Sequence, residues 1–306
     1  MYSQKTWEII SGTVELAEDI HKDDYRKNDW RSYFNHNIEI ILDELGVFLS
    51  GNTLLKNKYD LLWDFLVYAL HDAPEDHPER WRDILDKLNQ ILDDEFLVLQ
   101  LFRDILILAT GGIPLATRSE MVRFFLKEHE EFINANIDTK EYTMKKDLLL
   151  DIVLILSPAN PLFKLEYDSE KYGKSKWTQD YQRLEGAIQL YKHQIILRKG
   201  EYTEKNIDYN DEYIWLGNYI FFNETDARRK LKDMFNNMSD MVEMDKKKPG
   251  YIETRRIKAY ILSVKLKHFG MLDELHDLEF AFQKYWYSAM TDSEVNRKLR
   301  DIKNAK

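Results

Sequence analysis

The chain contains no cysteine. Disulfides, thiolate metal sites and cysteine nucleophiles are excluded by that alone. A chain of 306 residues without cysteine also fits a reducing compartment. Proline and glycine are scarce, 6 and 11 residues, too few for the many tight turns of an all-β fold. Long apolar runs are missing. None approaches the roughly 18 apolar residues of a membrane span, and the most apolar stretch, LFRDILILATGG, is interrupted by Arg103 and Asp104. The amino-terminal stretch lacks the basic start and apolar core of a signal peptide. The expected location is cytoplasmic, with no membrane partner. A basic footprint is lacking too: the formal net charge is −10, which argues against a duplex nucleic-acid binder. The sequence shows no glycine-rich phosphate loop, no dinucleotide fingerprint, no G-x-S-x-G elbow and no repeat of fixed period.

What is present is helical periodicity. Apolar residues recur at helical spacing through most of the chain. Helices are predicted over residues 3–22, 29–48 and from 52 or 53 to Leu70, where Pro74 is expected to force the chain out. A further helix restarts at His77-Pro78 and carries Trp81, Ile84, Leu85, Leu88, Ile91 and Leu92. Residues 96–110 are apolar almost all round and should lie at the centre. Thr117 and Glu120 have capping-box spacing for a helix over 118–135, and Asp138 or Thr139 should cap one running to Leu156. Helices near 176–199, 211–222, 224–245, 250–269, 271–289 and 291–303 complete the chain. The expected fold is an all-α multi-helix bundle. Two helical units are expected, residues 1–160 with the candidate site and residues 161–306.

Chemistry concentrates between Leu61 and Trp81, in LLWDFLVYALHDAPEDHPERW. An apolar helix ends in His71-Asp72, and Glu75, Asp76 and His77 crowd around two prolines. Imidazoles and carboxylates from different helices are the donors a hydrolytic divalent metal needs, with a position left for water. Adjacent residues cannot share a helical face, but at a helix end the chain leaves its path and both can converge. His36, on the preceding predicted helix, comes alongside if the two helices form an antiparallel hairpin. The bland alternative is a capping pair, with histidine favoured at a helix C-terminus. A second doublet, His276-Asp277, has no such context.

Three pieces, FNHNIEIILDEL, LVYALHDAPED and MKKDLLLDIVLIL, resemble the HD-domain phosphohydrolases, over residues 26–156 at most. The resemblance implies His36, His71, Asp72 and Asp147 as metal ligands, with Asp151 or Asp104 competing for the fourth place. It implies Glu75 as general base or water-positioning group, Asp76 as its helper, and Arg26 and Arg31 as substrate contacts. The cofactor would be a divalent ion, Mn, Mg or Zn; without the resemblance no cofactor is expected. The substrate would be a nucleotide or related phosphate ester, a nucleotide-like small molecule.

Two other classes compete. A non-enzymatic helical interaction protein, such as an inhibitor, immunity or structural component, would bind a protein partner through aromatic faces such as YIWLGNYIFF and FQKYWYSAM. Core packing explains the same spacing. Arg31 and His36 resemble the motif of HEPN-like RNases, which would act as a homo-oligomer, and Arg123 with His129 falls in the same spacing range. Lys246 to Lys248, Arg255, Arg256, Lys258 and Lys265 form the main basic concentration and read as a solvated helix face.

Overall fold

The computed structural model describes residues 4–24, 37–38, 40–41, 58–109, 113–135, 137, 139–156, 222–238 and 251–290. Among these there is no strand, and the chain is all-α. It divides into two compact units, and the described helices up to Leu156 fall in the first, those after Phe222 in the second. The expected boundary at 160/161 lies outside the described residues, as do the helices predicted at 176–199, at 291–303 and, except for Phe222, at 211–222.

In the first unit, α1 runs from Gln4–Ile20 and buries Thr13, Leu16, Ala17 and Ile20, one stripe at helical spacing. Trp7, expected on that side, is 55% exposed, because the stripe begins two turns later. α1 packs against α2 (Lys58–Leu70) and α4 (Trp81–Leu92). Gly12 permits this closeness: a Cβ there would stand 3.1 Å from Ile91 Cγ1 on α4. Between α2 and α4 lie a short helix, α3 (Ala73–Asp76), and a 3-10 turn, Pro78–Arg80. Pro74 therefore does not expel the chain from helical structure; it occupies the first turn of α3, where its missing N–H costs nothing.

α5 (Glu95–Leu108) is the central helix expected from its all-round apolar character. Every residue from Leu101 to Leu108 is buried, and it packs against α2, α4 and α8. Asp94 caps it, its carboxylate accepting from the Leu97 N–H at 3.1 Å. Arg103 and Asp104, which break the apolar run, pair with each other at 3.1 Å inside the core, and Asp104 also accepts from the Trp63 indole at 2.9 Å. Asp151 lies 3.5 Å from Arg103.

α6 (Leu115–Glu128) starts earlier than the Thr117–Glu120 spacing predicts. Pro114, extended at ψ 141°, sets its start instead. The helix breaks at His129 before α7 (Glu130–Asn134), where one helix over 118–135 was predicted. Thr139 does cap α8 (Lys140–Leu156), with its hydroxyl accepting from the Tyr142 N–H at 3.3 Å. An aromatic cluster ties α4, α5 and α6 together. Trp81 meets Phe124 edge-on at 5.2 Å, and Phe125 stands 5.8 Å from Phe102.

His129 stacks on Phe125 and faces Glu95 at 3.8 Å, with Lys145 and Glu128 also nearby. Burial lowers its pKa below the usual 6.5, against the pull of Glu95. The unfolded chain then binds more protons than the folded one between the lowered value and about 6.5, so stability rises with pH across that window and falls on acidification. Substituting His129→Phe should flatten part of the loss of melting temperature between neutral and mildly acidic pH, read by circular dichroism. An unchanged slope would show that His129 does not carry the effect.

The second unit is built from α9 (Glu224–Met238), α10 (Tyr251–Phe269) and α11 (Leu272–Met290), which pack pairwise. Its core is partly charged. On α9, Asp226, Arg229, Lys230 and Asp233 are buried, with Lys230 and Asp233 paired at 2.6 Å. Lys258 and Lys265 on α10, expected on a solvated face, are buried as well. The Lys265 ammonium lies 5.1 Å from the Phe269 ring centroid, which offsets part of its desolvation. α10 ends in a Schellman motif: Met271 N–H bonds Leu266 O, Gly270 N–H bonds Lys267 O, and Gly270 takes φ +74°.

Candidate metal centre

The end of α1 and the junction between α2 and α4 meet at one place. After Ile20 the chain turns, with His21 N–H still bonded to Ala17 O at 3.1 Å and Asp24 N–H to His21 O at 3.0 Å. This turn folds the Asp24 carboxylate back over the His21 ring. From the other side comes His77, between α3 and the 3-10 turn.

Asp24 Oδ2 receives both imidazoles, His21 Nδ1 at 2.8 Å and His77 Nε2 at 2.6 Å. The two rings stand edge to face with centroids 5.4 Å apart. His21 is fully buried, while Asp24 and His77 are 29% and 23% exposed, so the group is reached by solvent at Asp24 and His77 and not at His21. Among the described residues this is the one group in which three metal-type ligand atoms all lie within 4.8 Å of one another.

The electrostatics favour the ligating forms. Burial lowers the pKa of His21, outweighing the hydrogen bond it donates to Asp24 and the charge of Asp72, and so keeps the imidazole neutral. Burial works against the Asp24 carboxylate, yet the hydrogen bonds from His77 and His21 prevail and its pKa falls below the usual range. His21 is neutral and Asp24 ionised, but the ring nitrogens that face Asp24 carry the protons they donate to it, so an ion would bind there in exchange for those protons. α1 ends at this point, and the negative end of its dipole favours a cation.

The donor set fits a divalent ion. Ligand atoms around a tetrahedral ion with bonds of about 2.1 Å stand about 3.4 Å apart. The two contacts at 2.8 and 2.6 Å would have to open by about 0.6 and 0.8 Å to reach that spacing. Asp72 Oδ2, whose charge reaches His21, is buried and accepts no hydrogen bond from the described residues.

The residues predicted from sequence are placed as follows. His71 is fully buried directly after α2, and its Nδ1–H donates to Tyr68 O at 2.9 Å, which is the capping role. Its Nε2 lies 3.3 Å from Asp72 Oδ2, without the alignment of a hydrogen bond. Glu75 is half-buried and Asp76 exposed, both on α3. Asp147 is exposed on α8, and neither it nor Asp151 belongs to the three-ligand group. His36, Arg26 and Arg31 lie outside the described residues. Asn37, next to His36, is buried and donates to Ala69 O at 3.2 Å, near the end of α2.

Comparison with protein-family models, with curated proteins and with solved structures finds no match.

His21 and Asp24 were missed by sequence reasoning, which puts His21 at the end of the helix predicted over 3–22 and Asp24 just after it, and gives neither a role. A signal was there: a histidine immediately after an apolar helical stripe, with a carboxylate three residues on. His77 stood among the crowded residues but had no partner assigned, because nothing in the sequence pairs it with a residue 53 positions earlier.

Proposed function

We propose that this chain is a divalent-metal-dependent hydrolase of phosphate esters, with the ion held by His21, Asp24 and His77. The observation that carries this reading is the meeting of two imidazoles on one carboxylate oxygen, at a junction that solvent reaches at Asp24 and His77. The substrate class comes from the resemblance of LVYALHDAPED to the HD-domain phosphohydrolases, and this segment runs directly into His77. Two nitrogen donors and one oxygen donor suit Zn or Mn better than Mg, which prefers oxygen ligands. A bound ion supplies an activated water at neutral pH and charge stabilisation on the phosphoryl oxygens.

In this reading the chain's own residues divide the work. His21, buried and neutral, gives the rigid side of the site. Asp24 supplies the negative charge. His77, on the short segment between α3 and the 3-10 turn, closes it from the solvent side. Glu75 on α3 would position the attacking water or take its proton, with Asp76 as its helper, the roles that the family resemblance implies. A nucleotide or a smaller phosphate monoester would approach from the exposed side of Asp24 and His77.

Protein stripped with a chelator and refilled with Zn2+ or Mn2+ should hydrolyse p-nitrophenyl phosphate or a member of a nucleotide panel. The same preparation of His77→Ala should not. Equal rates from wild type and variant, or no metal-dependent rate on any substrate, would remove the hydrolase reading.

A further inference from the structure

We infer that Arg80 is the positioning residue of this centre: it locks the last turn of α1 to the segment carrying His77, and thereby sets the affinity for the ion. The inference rests on the reading of His21, Asp24 and His77 as ligands.

The ligands come from two segments far apart in sequence. His21 and Asp24 follow α1, and His77 precedes the 3-10 turn. Their mutual distance depends on how those segments are held. Arg80 spans the gap. Its Nη1 donates to the Asp19 backbone carbonyl at 3.1 Å, and its Nη2 to Asp19 Oδ2 at 2.7 Å. Nη2 also meets Asp83 Oδ2 at 2.5 Å, which anchors the guanidinium to the first turn of α4. Asp19 is two residues before His21, and Arg80 three residues after His77. The planar fork fixes direction as well as distance, as a lysine ammonium would not. The Asp19 carbonyl is in the last turn of α1, so Arg80 also satisfies a helix-end acceptor.

The same contacts are poor candidates for a purely stabilising role. The side chains of Arg80, Asp19 and Asp83 are 25%, 52% and 44% exposed, and exposed ion pairs contribute little to stability.

The sign of one measurement separates positioning from simple electrostatics. Arg80 is a positive charge close to a cation site. If it acted only through charge, removing it would tighten cation binding. If it positions the ligands, removing it weakens binding. Partners that orient metal ligands typically alter affinity by roughly 10–100-fold. Isothermal titration of metal-free wild type, Arg80→Gln and Arg80→Lys with Zn2+ is the test, with circular dichroism to verify the fold. The expected result is an affinity weakened about tenfold in Arg80→Gln and less in Arg80→Lys, with helicity retained. Unchanged or tighter binding in Arg80→Gln overturns the inference while leaving the metal centre standing. If Arg80→Gln does not fold, Arg80→Lys decides, and wild-type affinity in it overturns the inference. Absence of Zn2+ binding by wild type overturns the ligand assignment and this inference with it.

Discussion

Replacing His21 with alanine is expected to abolish tight metal binding, a loss of at least about 100-fold, beyond the range that supporting partners control. His21 is the fully buried ligand, and the buried residues before it on α1, Ala17 and Ile20, are apolar. Asp24→Asn should have a comparable effect, because it removes the negative charge on which both imidazoles converge. Asp147→Asn, by contrast, should leave the affinity unchanged, since Asp147 sits exposed on α8 and outside the three-ligand group. Titration calorimetry on the three variants, with helicity checked, distinguishes the two ligand sets. Loss of binding in Asp147→Asn together with full binding in His21→Ala would favour the set that the family resemblance implies. His21→Ala also leaves a buried void beside Asp24, so Asp24→Asn is the cleaner of the two when stability is a concern.

The second large effect lies in the core. Phe102→Ala should destabilise the first unit by about 3–5 kcal/mol, the transfer free energy of the ring plus the cavity it leaves. Phe102 is fully buried on α5, and its ring meets Phe125, which in turn connects to Trp81. The cavity would therefore open between three helices that cannot all close on it. Leu97→Ala, on the same helix but 37% exposed, should change stability by about 0.5 kcal/mol or less. Urea unfolding followed by circular dichroism reads both. Equal costs at the two positions would mean that α5 is not the centre of the unit.

Much of the first unit was legible in the sequence. The all-round apolar character of 96–110 predicted the central helix, and α5 is that helix. The stripe on α4 emerged as predicted, with Trp81, Ile84, Leu85, Leu88 and Leu92 buried. Boundaries were less legible, for local reasons. Pro74 and Pro114 act as starters, since a proline without its N–H suits a first turn as well as a break. His129 interrupts a periodic run whose spacing gives no sign of it. The buried lysines of α10 were misread because charge alone suggests solvent, while the charged face of α9 makes the core of that unit partly polar.

The candidate site was legible only on one side. The crowded segment 71–77 stood out, because an apolar helix running into imidazoles and carboxylates is visible in a single stretch. Its partners were sought in His36 and Asp147, where the family pattern pointed. His36 lies outside the described residues; what the structure does bring to His77 is His21 and Asp24, through the packing of α1 on α2 and α4 and the close approach at Gly12. Such a meeting depends on how two helices cross, and no local periodicity encodes that.

The central claim is that His21, Asp24 and His77 hold a divalent ion. Co2+ added to chelator-treated protein tests it most directly, because its visible bands report the coordination. Saturation is expected at one ion per chain, with bands displaced by Zn2+ and lost in Asp24→Asn. Identical spectra from wild type and Asp24→Asn, or no protein-dependent bands in either, would contradict it.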